Sequence, residues 1–438
     1  MFLRSLLRCK GIAAIAAAVV LATTVTPLGV ASGLAARSQA PITLTFWTWV
    51  PHLQEPVRLF EQTHPGIKVN IVNAGQGSPE LTKLRIALKA GAGAPDDVQI
   101  PEANVPEFEL SGKLVDLSAY GANSVKNQFL PAAWAQVSVG SKVYAIPQDT
   151  GPMALLYRKD IFDKYHLAVP TTWAQYAQEA LALHKANPAV YMTDFPPGEG
   201  LFTIAMMWQA GARNFTVNGS TVSVNFTDPA SLRVINYWGN LYKERAVQIS
   251  PDFTTPWYTA MANGTYASWV TAAWGPLFLE GIAAKSAGKW RVASLPQWTP
   301  GAHVSTNWSG STTAVTTQSA HPKEAATFAM WLNANPTSSK MLVTKALLFP
   351  QRTALLNDPA LLNAHDPFFG GQQVFRVFVQ SLTQGGTIQW SPVQDYVNEQ
   401  MTNDIGSAAA GKMTFAQSLQ KLQSDVISYS RAQGFTIK

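Results

Sequence analysis

The segment PITLTFWTWV at residues 41–50 indicates the fold class, because it opens a rapid succession of strand, loop, helix and strand. The segment ITLTF consists of β-branched and aromatic residues and predicts a strand. A helical segment at residues 53–64 follows, and a second strand is predicted at residues 67–72. This order is typical of an α/β fold, in which a helix connects neighbouring strands of one sheet.

Two tryptophans mark the end of the first predicted strand. Trp47 and Trp49 are two residues apart, so a continued strand would place them on the same face. Ligands of open α/β sheets bind beyond the carboxyl ends of the strands. An indole at that edge offers a flat stacking face, which suits a ring that is only partly polar, such as a sugar.

Length and composition indicate a well-packed protein of more than one domain. The chain has 438 residues, of which 47% are hydrophobic and only 13% are charged. This length exceeds what one ordinary core supports, so two domains are expected. The chain has 14 tryptophans, and we expect a polar, ligand-facing subset among them.

Residues 1–40 are predicted to be a signal peptide. Arg4, Arg8 and Lys10 form a positive segment, and an apolar run at residues 11–22 follows. The run is short for a membrane span, which favours cleavage and an exported protein, either periplasmic or at the cell surface and extracellular. The only cysteine, Cys9, lies in this leader, so no disulfide is expected in the mature chain.

Charge and motifs exclude several classes of function. The formal net charge is +6, but four of the basic residues lie before Pro41 without any acidic residue, which leaves 6 − 4 = +2 for the remainder. No basic block remains to bind nucleic acid. The seven histidines form no metal-binding spacing, and no phosphate-binding glycine motif occurs. No metal and no cofactor are therefore expected.

Local signals locate several elements further along the chain. Thr171 or Thr172 is expected to cap a helix that reaches about residue 184, and Asp228 precedes another helix. The pair Asn218-Gly219 predicts a hairpin turn within residues 215–226. The last third of the chain has the spacing of helices.

An ordered series of segments resembles one known family. They are ITLTFW, LFEQTHPGIKVNIV, LTKLRIALKAGAGAPDDV, ELSGKLVDLSAY, VYAIPQDTGPMALLYRKDIFDKY, PTTWAQYAQEA, GTYASWVTAAWGPL and GSTTAVTTQSAHPKEAATFAMWLN. In this order they resemble the extracellular solute-binding proteins of bacterial ABC importers, of the carbohydrate-binding type related to maltose-binding protein. The resemblance covers roughly residues 41–340. One departure is the absence of the lipobox cysteine that Gram-positive members usually carry.

The resemblance implies a two-lobe, periplasmic-binding-protein-like fold with a ligand cleft between lobes joined by a multi-strand hinge. One lobe would comprise residues 41–150 and about 309–350, and the other residues 155–305 and about 355–438. The first crossing would lie at residues 150–156. The implied partners are a carbohydrate ligand and the transmembrane permease subunits of an ABC transporter, and the protein is expected to be a monomer.

The loops that the family places at the cleft supply the candidate binding residues. Aromatic rings would stack on sugar faces, and amides, carboxylates and hydroxyls would bind the sugar hydroxyls. The candidates are Trp47, Trp49, Gln148, Asp149, Trp274, Trp308, Ser309, Gly310, Arg352 and Trp390. Several also have a structural interpretation, since the tryptophans fit a core, Asp149 fits a turn cap and Arg352 fits an ion pair across the hinge.

Three functions follow from these observations. The first is a binding protein for a sugar, more specifically an oligosaccharide, which would not be an enzyme. This function agrees with the leader, the length and the aromatic loops. A secreted glycoside hydrolase would instead need two carboxylates about 5–10 Å apart, for which Asp96 with Asp97 or Glu107 with Glu109 are the neighbouring pairs. A glycerol phosphodiester ligand would require cations in the cleft.

Overall fold

The structure is a computed structural model that describes residues 40–386 and 388–438. The predicted signal peptide lies outside the described residues, apart from residue 40. Among the described residues, no helix is both long enough and apolar enough to cross a membrane.

The described residues form thirteen strands, most of them short. The strands are β1 (Ile42–Trp47), β2 (Ile67–Val72), β3 (Asp97–Pro101), β4 (Ser138–Val139), β5 (Lys142–Val143), β6 (Ala145–Pro147), β7 (Met153–Arg158), β8 (Phe215–Asn218), β9 (Thr221–Val224), β10 (Ser268–Ala272), β11 (Trp290–Ser294), β12 (Ser311–Val315) and β13 (Thr436–Ile437).

Seventeen α-helices surround the strands in the part of the chain that the structure describes. The helices are α1 (Gln54–Thr63), α2 (Ser78–Ala90), α3 (Val105–Leu110), α4 (Pro131–Gln136), α5 (Lys159–Lys164), α6 (Trp173–Ala186), α7 (Gly200–Gln209), α8 (Pro229–Lys243), α9 (Thr255–Asn263), α10 (Gly275–Ile282), α11 (Pro322–Ala334), α12 (Pro336–Thr344), α13 (Thr353–Leu356), α14 (Pro359–Leu362), α15 (Val374–Gln384), α16 (Gln394–Ala409) and α17 (Phe415–Ala432).

Lobe 1 is the part of the chain that packs around a five-stranded sheet of order β2-β1-β3-β12-β6. Strands β1, β2 and β3 are parallel, whereas β12 pairs antiparallel with both β3 and β6. The opening strand alternates as predicted, since Leu44 and Phe46 are fully buried between more exposed neighbours. Phe46 contacts Phe328 of α11 and so anchors this strand in the core.

Lobe 2 is the part that packs around the antiparallel sheet β10-β7-β11. Successive residues of β7 point to opposite faces, so Met153 and Leu155 join one core, and Ala154 and Leu156 join another. Helices α6, α7, α8, α16 and α17 cover the first face, and α9, α10 and α15 cover the second. Lobe 2 is therefore a sheet between two helical layers.

The local start signals of the sequence are confirmed. The side chain of Thr172 accepts a hydrogen bond from the backbone N–H of Gln175 at the start of α6, and the side-chain oxygen of Gln175 accepts one from the backbone N–H of Thr172, which forms a capping box. Asp228 caps α8 through the backbone N–H groups of Ala230 and Ser231. The turn Asn218-Gly219 joins β8 and β9 in an antiparallel hairpin.

Three passages of the chain connect the sheets and form the hinge. The first runs from β6 to β7 at residues 148–152, which overlaps the predicted crossing, and the second lies at residues 305–311. The third passage lies at residues 349–352. The backbone N–H of Trp308 donates to the carbonyl of Gly151 at 2.8 Å, and the N–H of Thr150 donates to the carbonyl of Phe349 in the third passage at 2.9 Å. The lobe boundaries given above stay a prediction.

Glycine is required where the first two passages touch. A Cβ on Gly310 would lie 1.9 Å from the carbonyl oxygen of Asp149, and one on Gly151 would lie 2.2 Å from that of Ser309. Real side chains do not tolerate such approaches, so the two backbones can cross this closely only without side chains. Ser309 itself has a positive φ of 53°.

Candidate functional site

A cavity of about 540 Å³ lies between the two lobes. Lobe 1 contributes residues around Trp49, the loop at residues 75–79 and residues that follow β3. Lobe 2 contributes residues 198–201, 252–254 and 274–278, and the hinge contributes residues 308–311. Strands β1, β3 and β10 end at this cavity, which is the edge where α/β sheets bind ligands.

An aromatic surface forms the lobe 2 side of the cavity. Trp274 precedes α10 and remains half-buried, with its ring centroid 4.8 Å from that of Trp308 and 5.8 Å from that of Phe278. Trp308 is only 3% exposed and rests in turn on Phe202 at 5.0 Å. Trp308 therefore supports Trp274, whose remaining surface is available for stacking.

A buried amide fixes the loop that carries Trp49. The Oε1 atom of Gln99 accepts hydrogen bonds from the hydroxyl of Thr48 at 2.6 Å and from the backbone N–H of Trp49 at 3.2 Å. The Nε2 atom of Gln99 donates to the hydroxyl of Ser311 at 2.9 Å. Strands β1, β3 and β12 are thus tied together directly beneath the cavity, which holds Trp49 in a defined position.

Asp149 has the geometry of a backbone cap at the cavity wall. Its Oδ1 atom accepts a hydrogen bond from the backbone N–H of Ser311 at 2.8 Å, and its side chain is buried. Burial raises the pKa of this carboxyl to about 6. Asp149 therefore binds the backbone of a distant strand and does not cap a local turn through this contact, while its role toward a ligand stays a prediction.

Six of the ten candidate residues line this one cavity, although they are distant in the sequence. They are Trp49, Asp149, Trp274, Trp308, Ser309 and Gly310. Their roles in binding stay predictions, but their common location is a finding.

The structure places the other four candidates outside this cavity. Trp47 packs against the lobe 1 core, so the two indoles expected on one face have different surroundings, because β1 ends at Trp47. Gln148 is buried and its side-chain oxygen and nitrogen have no hydrogen-bond partner among the described residues. Trp390 belongs to the lobe 2 core and lines a second cavity of about 380 Å³.

Arg352 is the fourth of these candidates. Its guanidinium donates hydrogen bonds to the hydroxyl of Ser339 at 2.6 Å and to the amide oxygen of Gln128 at 2.8 Å. These partners are neutral, in contrast to the expected carboxylate. Burial lowers the pKa of Arg352 from its ordinary value. The residue connects the third hinge passage to lobe 1.

Sequence reasoning missed several residues of the cavity. Asn104, Glu199, Asp252, Phe253 and Phe278 all line it. The two acids lie in segments rich in proline, glycine, serine and threonine, FPPGEG and SPDFTT, which look like ordinary surface turns. Only the fold brings these loops together.

The acidic pairs considered for hydrolysis lie elsewhere. Asp97 is buried within β3, and Asp96 accepts a hydrogen bond from the backbone N–H of Thr45 at 2.8 Å. Glu107 accepts a hydrogen bond from Arg85 at 2.6 Å. None of these acids, nor Glu109, lines the cavity.

The cavity carries carboxylates but no basic side chain. Its acidic lining residues are Asp149, Glu199 and Asp252, and no lysine, arginine or histidine lies among the described residues that line it. Within the described ranges, no group of three or more histidine, cysteine or acidic side chains is placed to hold a metal ion.

Two lobes joined by a three-passage hinge, with an aromatic and polar cavity between them, define a solute-binding fold. Residues 48–337 match the model of the family described as bacterial extracellular solute-binding protein. The chain belongs to this family, which is a family of binding proteins.

Comparison with solved structures and curated proteins supports this assignment. The chain is similar to the ABC transporter associated binding protein from B. animalis subsp. lactis Bl-04, solved in complex with β-1,6-galactobiose, with 31% identity, a TM-score of 0.85 and coverage of 91% of this chain and 100% of that chain. It is also similar to the galacto-N-biose/lacto-N-biose I-binding protein from Bifidobacterium longum, with 25% identity, a TM-score of 0.80 and coverage of 91% and 100%. An arabinooligosaccharide-binding protein of Halalkalibacterium halodurans is 23% identical, with coverage of 87% of this chain and 88% of that protein.

Proposed function

We propose that this chain is the substrate-binding component of an ABC importer and captures an oligosaccharide in the cavity between its lobes. The observation that carries the proposal is the half-buried Trp274, held by Trp308 at 4.8 Å in a cavity that also contains polar side chains without a hydrogen-bond partner among the described residues. Sugar recognition needs this combination, because a pyranose ring has apolar C–H faces and a rim of hydroxyls.

Size and charge support a neutral oligosaccharide over the other ligands considered. A cavity of about 540 Å³ with Trp49, Trp274 and Phe278 in its wall suits more than one sugar ring. A glycerol phosphodiester would need cationic partners for its phosphate, and the described lining contains none. The relatives solved or described with oligosaccharides support the same ligand class.

Ligand capture would proceed by closure of the two lobes about the hinge. A sugar that contacts both walls favours the closed form in proportion to its additional contacts there. The closed protein would then dock on the transmembrane permease subunits as a monomer, at the periplasmic or extracellular side of the membrane. In this role the chain binds its ligand without changing it.

The experiment is a titration of the mature protein followed by intrinsic tryptophan fluorescence. The ligand panel contains β-1,6-galactobiose, lacto-N-biose, arabino-oligosaccharides, the corresponding monosaccharides and a glycerol phosphodiester. We expect a saturable change at micromolar concentrations for at least one oligosaccharide and weaker binding of its monosaccharide. A response to the phosphodiester alone would contradict the proposal.

A turnover assay separates the proposal from the hydrolase alternative. Each oligosaccharide that binds is incubated with the protein, and reducing ends are measured over many hours. We expect no product, because binding and delivery require an intact ligand. Release of monosaccharide that is lost in the Glu199→Gln variant would identify a catalytic cleft and overturn the binding-protein role.

A further inference from the structure

Two carboxylates face the cavity at one end of its lobe 2 wall. Asp252 is 8% exposed, and its Oδ2 atom has no hydrogen-bond partner among the described residues. Glu199 lies beside the same cavity, directly before helix α7. Neither carboxylate forms an ion pair within the part of the chain that the structure describes.

The backbone around both residues is held by specific contacts. Phe253, next to Asp252, has a positive φ of 54°, which is rare for a bulky residue, and its ring lies 5.4 Å from the rings of Trp257 and Phe278. On the other side, a Cβ on Gly200 would lie 2.4 Å from the side chain of Asn398 in α16. The strained turn and the tight helix contact together fix the two acids at the cavity.

Burial acts on the ionisation of both acids, and the charge of Glu199 also acts on Asp252. Burial raises the pKa of Glu199 to about 7. Burial, followed by the charges of Glu199 and Asp194, raises the pKa of Asp252 well above its ordinary value. Glu199 is therefore ionised only above about pH 7, where its charge would oppose a negative charge carried by a ligand.

An independent observation on the opposite lobe indicates a polar ligand. Asn104 is 1% exposed, lines the same cavity, and its Nδ2 atom has no hydrogen-bond partner among the described residues. A buried amide donor without a partner is costly unless a ligand supplies an acceptor. The cavity therefore offers a donor from lobe 1 and acceptors from lobe 2 to a polar ligand.

We propose that Glu199 and Asp252 form a charge filter in the binding cavity, which accepts the hydroxyl groups of neutral sugars or the ammonium group of amino sugars and rejects acidic sugars. This inference rests on the proposed sugar-binding function and specifies its substrate class. The acceptors of lobe 2 would bind donor groups of the ligand, while Asn104 donates to a ligand oxygen. A carboxylate, sulfate or phosphate on the sugar would meet no cation in the described lining.

The test compares three probes of one carbon skeleton by isothermal titration calorimetry. The probes are the neutral oligosaccharide that binds best, its amino-sugar analogue and its uronic acid analogue. For the native protein we expect the uronic acid to bind roughly tenfold or more weakly than the neutral sugar, and the amino sugar to bind at least as tightly. The titrations are run at about pH 8, above the pKa of Glu199, and at low salt, which preserves the effect of its charge.

The variants Glu199→Gln and Asp252→Asn, singly and together, test the source of this selectivity. We expect the ratio of neutral to acidic affinity to fall below roughly threefold in the double variant. The ratio of neutral to acidic affinity should fall in part in Glu199→Gln. Glu199 is more exposed than Asp252, so its replacement disturbs folding less. Asp163→Asn removes the same negative charge from the exposed surface of α5, and it should keep the native ratio of neutral to acidic affinity.

The outcomes separate this inference from the function on which it rests. Binding of the neutral probe with an unchanged penalty for the acidic probe in Glu199→Gln would overturn the charge filter alone. Equal binding of all three probes to the native protein would also overturn it. Absence of binding by every oligosaccharide of the fluorescence panel would overturn both the charge filter and the proposed function.

Discussion

The guanidinium of Arg85 lies 2.7 Å from the carboxylate of Asp395, and this ion pair joins helix α2 to helix α16. Helix α2 packs into the lobe 1 core through Leu84, whereas α16 packs into the lobe 2 core through Val397. Both helices also contribute residues to the cavity. The ion pair therefore spans the two lobes beside the candidate binding site, and Glu107 holds the arginine in place at 2.6 Å.

Removal of this interlobe ion pair should weaken the contact between the two lobes. We expect Asp395→Asn to weaken ligand binding by about threefold to tenfold, mainly through faster dissociation, because a partly exposed pair contributes on the order of 1 kcal/mol. Stopped-flow fluorescence measures the dissociation rate. Asp163→Asn removes an ion pair that lies within lobe 2 and serves as the control. An unchanged dissociation rate in Asp395→Asn would contradict the role of the pair in closure.

Loss of the Trp274 ring should affect binding more than stability. We expect Trp274→Ala to weaken sugar binding by roughly tenfold or more and to lower the melting temperature by only a few degrees, because the ring is half-buried. Trp208, which is also partly buried but lies outside the cavity, provides a matched control. Its replacement by alanine should leave affinity unchanged. If Trp274→Ala keeps full affinity and loses stability, the ring is a core residue and not a stacking platform.

A side chain at Gly310 should disrupt the hinge. The alanine Cβ would meet the carbonyl of Asp149 at 1.9 Å, so the two crossing passages must separate. We expect Gly310→Ala to lower the free energy of unfolding by roughly 2 kcal/mol or more in urea denaturation. A Cβ on Gly281 would meet no atom within 4 Å, so Gly281→Ala should be close to neutral. If Gly310→Ala and Gly281→Ala were equally stable, the two crossing passages of the hinge could separate without a loss of stability.

A buried acid in the hinge should make stability depend on pH. The amide of Gln351 donates hydrogen bonds to both Glu102 and the carbonyl of Asp149. Burial raises the pKa of Glu102 from 4.5 to about 8, so the folded protein keeps a proton that the unfolded chain releases. The stabilisation from this group is complete below about pH 4.5 and is lost as the pH rises toward 8.

The variant Glu102→Gln should therefore flatten the decline of stability between about pH 5 and pH 8. The expected difference across this range is on the order of 2 kcal/mol, measured by urea denaturation at several pH values. Asp116 is a control of opposite sign, since hydrogen bonds from Ser118 and Val143 outweigh its burial and lower its pKa. Asp116→Asn should reduce stability across the range and leave the slope unchanged. An unaltered slope in Glu102→Gln would show that this carboxyl does not retain its proton.

The sequence predicted the fold class and part of the cavity, and the reasons are physical. The alternation in ITLTF and the capping residues Thr172 and Asp228 act over a few positions, so local chemistry determines them. Trp49 was found from its place just after the first strand, and Trp274 from the loops that the family resemblance places at the cleft. Trp390 has a similar context, yet it packs in the lobe 2 core, since the path of the chain decides which loops face the cavity.

The acids of the cavity could not be found in the same way. Glu199 and Asp252 lie in polar segments far apart in the chain, and no local pattern connects them. Their shared position arises from the packing of α7 against α16 and from the strained turn at Phe253. Tertiary structure alone brings these two carboxylates together.

Oligosaccharide binding in this cavity is tested by the fluorescence titration of the mature protein with β-1,6-galactobiose, lacto-N-biose and arabino-oligosaccharides. The proposed function predicts a saturable, micromolar response to at least one of them, which is lost or weakened roughly tenfold or more in Trp274→Ala and retained in Trp208→Ala. Absence of any response to these sugars, or a response that Trp274→Ala leaves unchanged, would contradict oligosaccharide binding in this cavity.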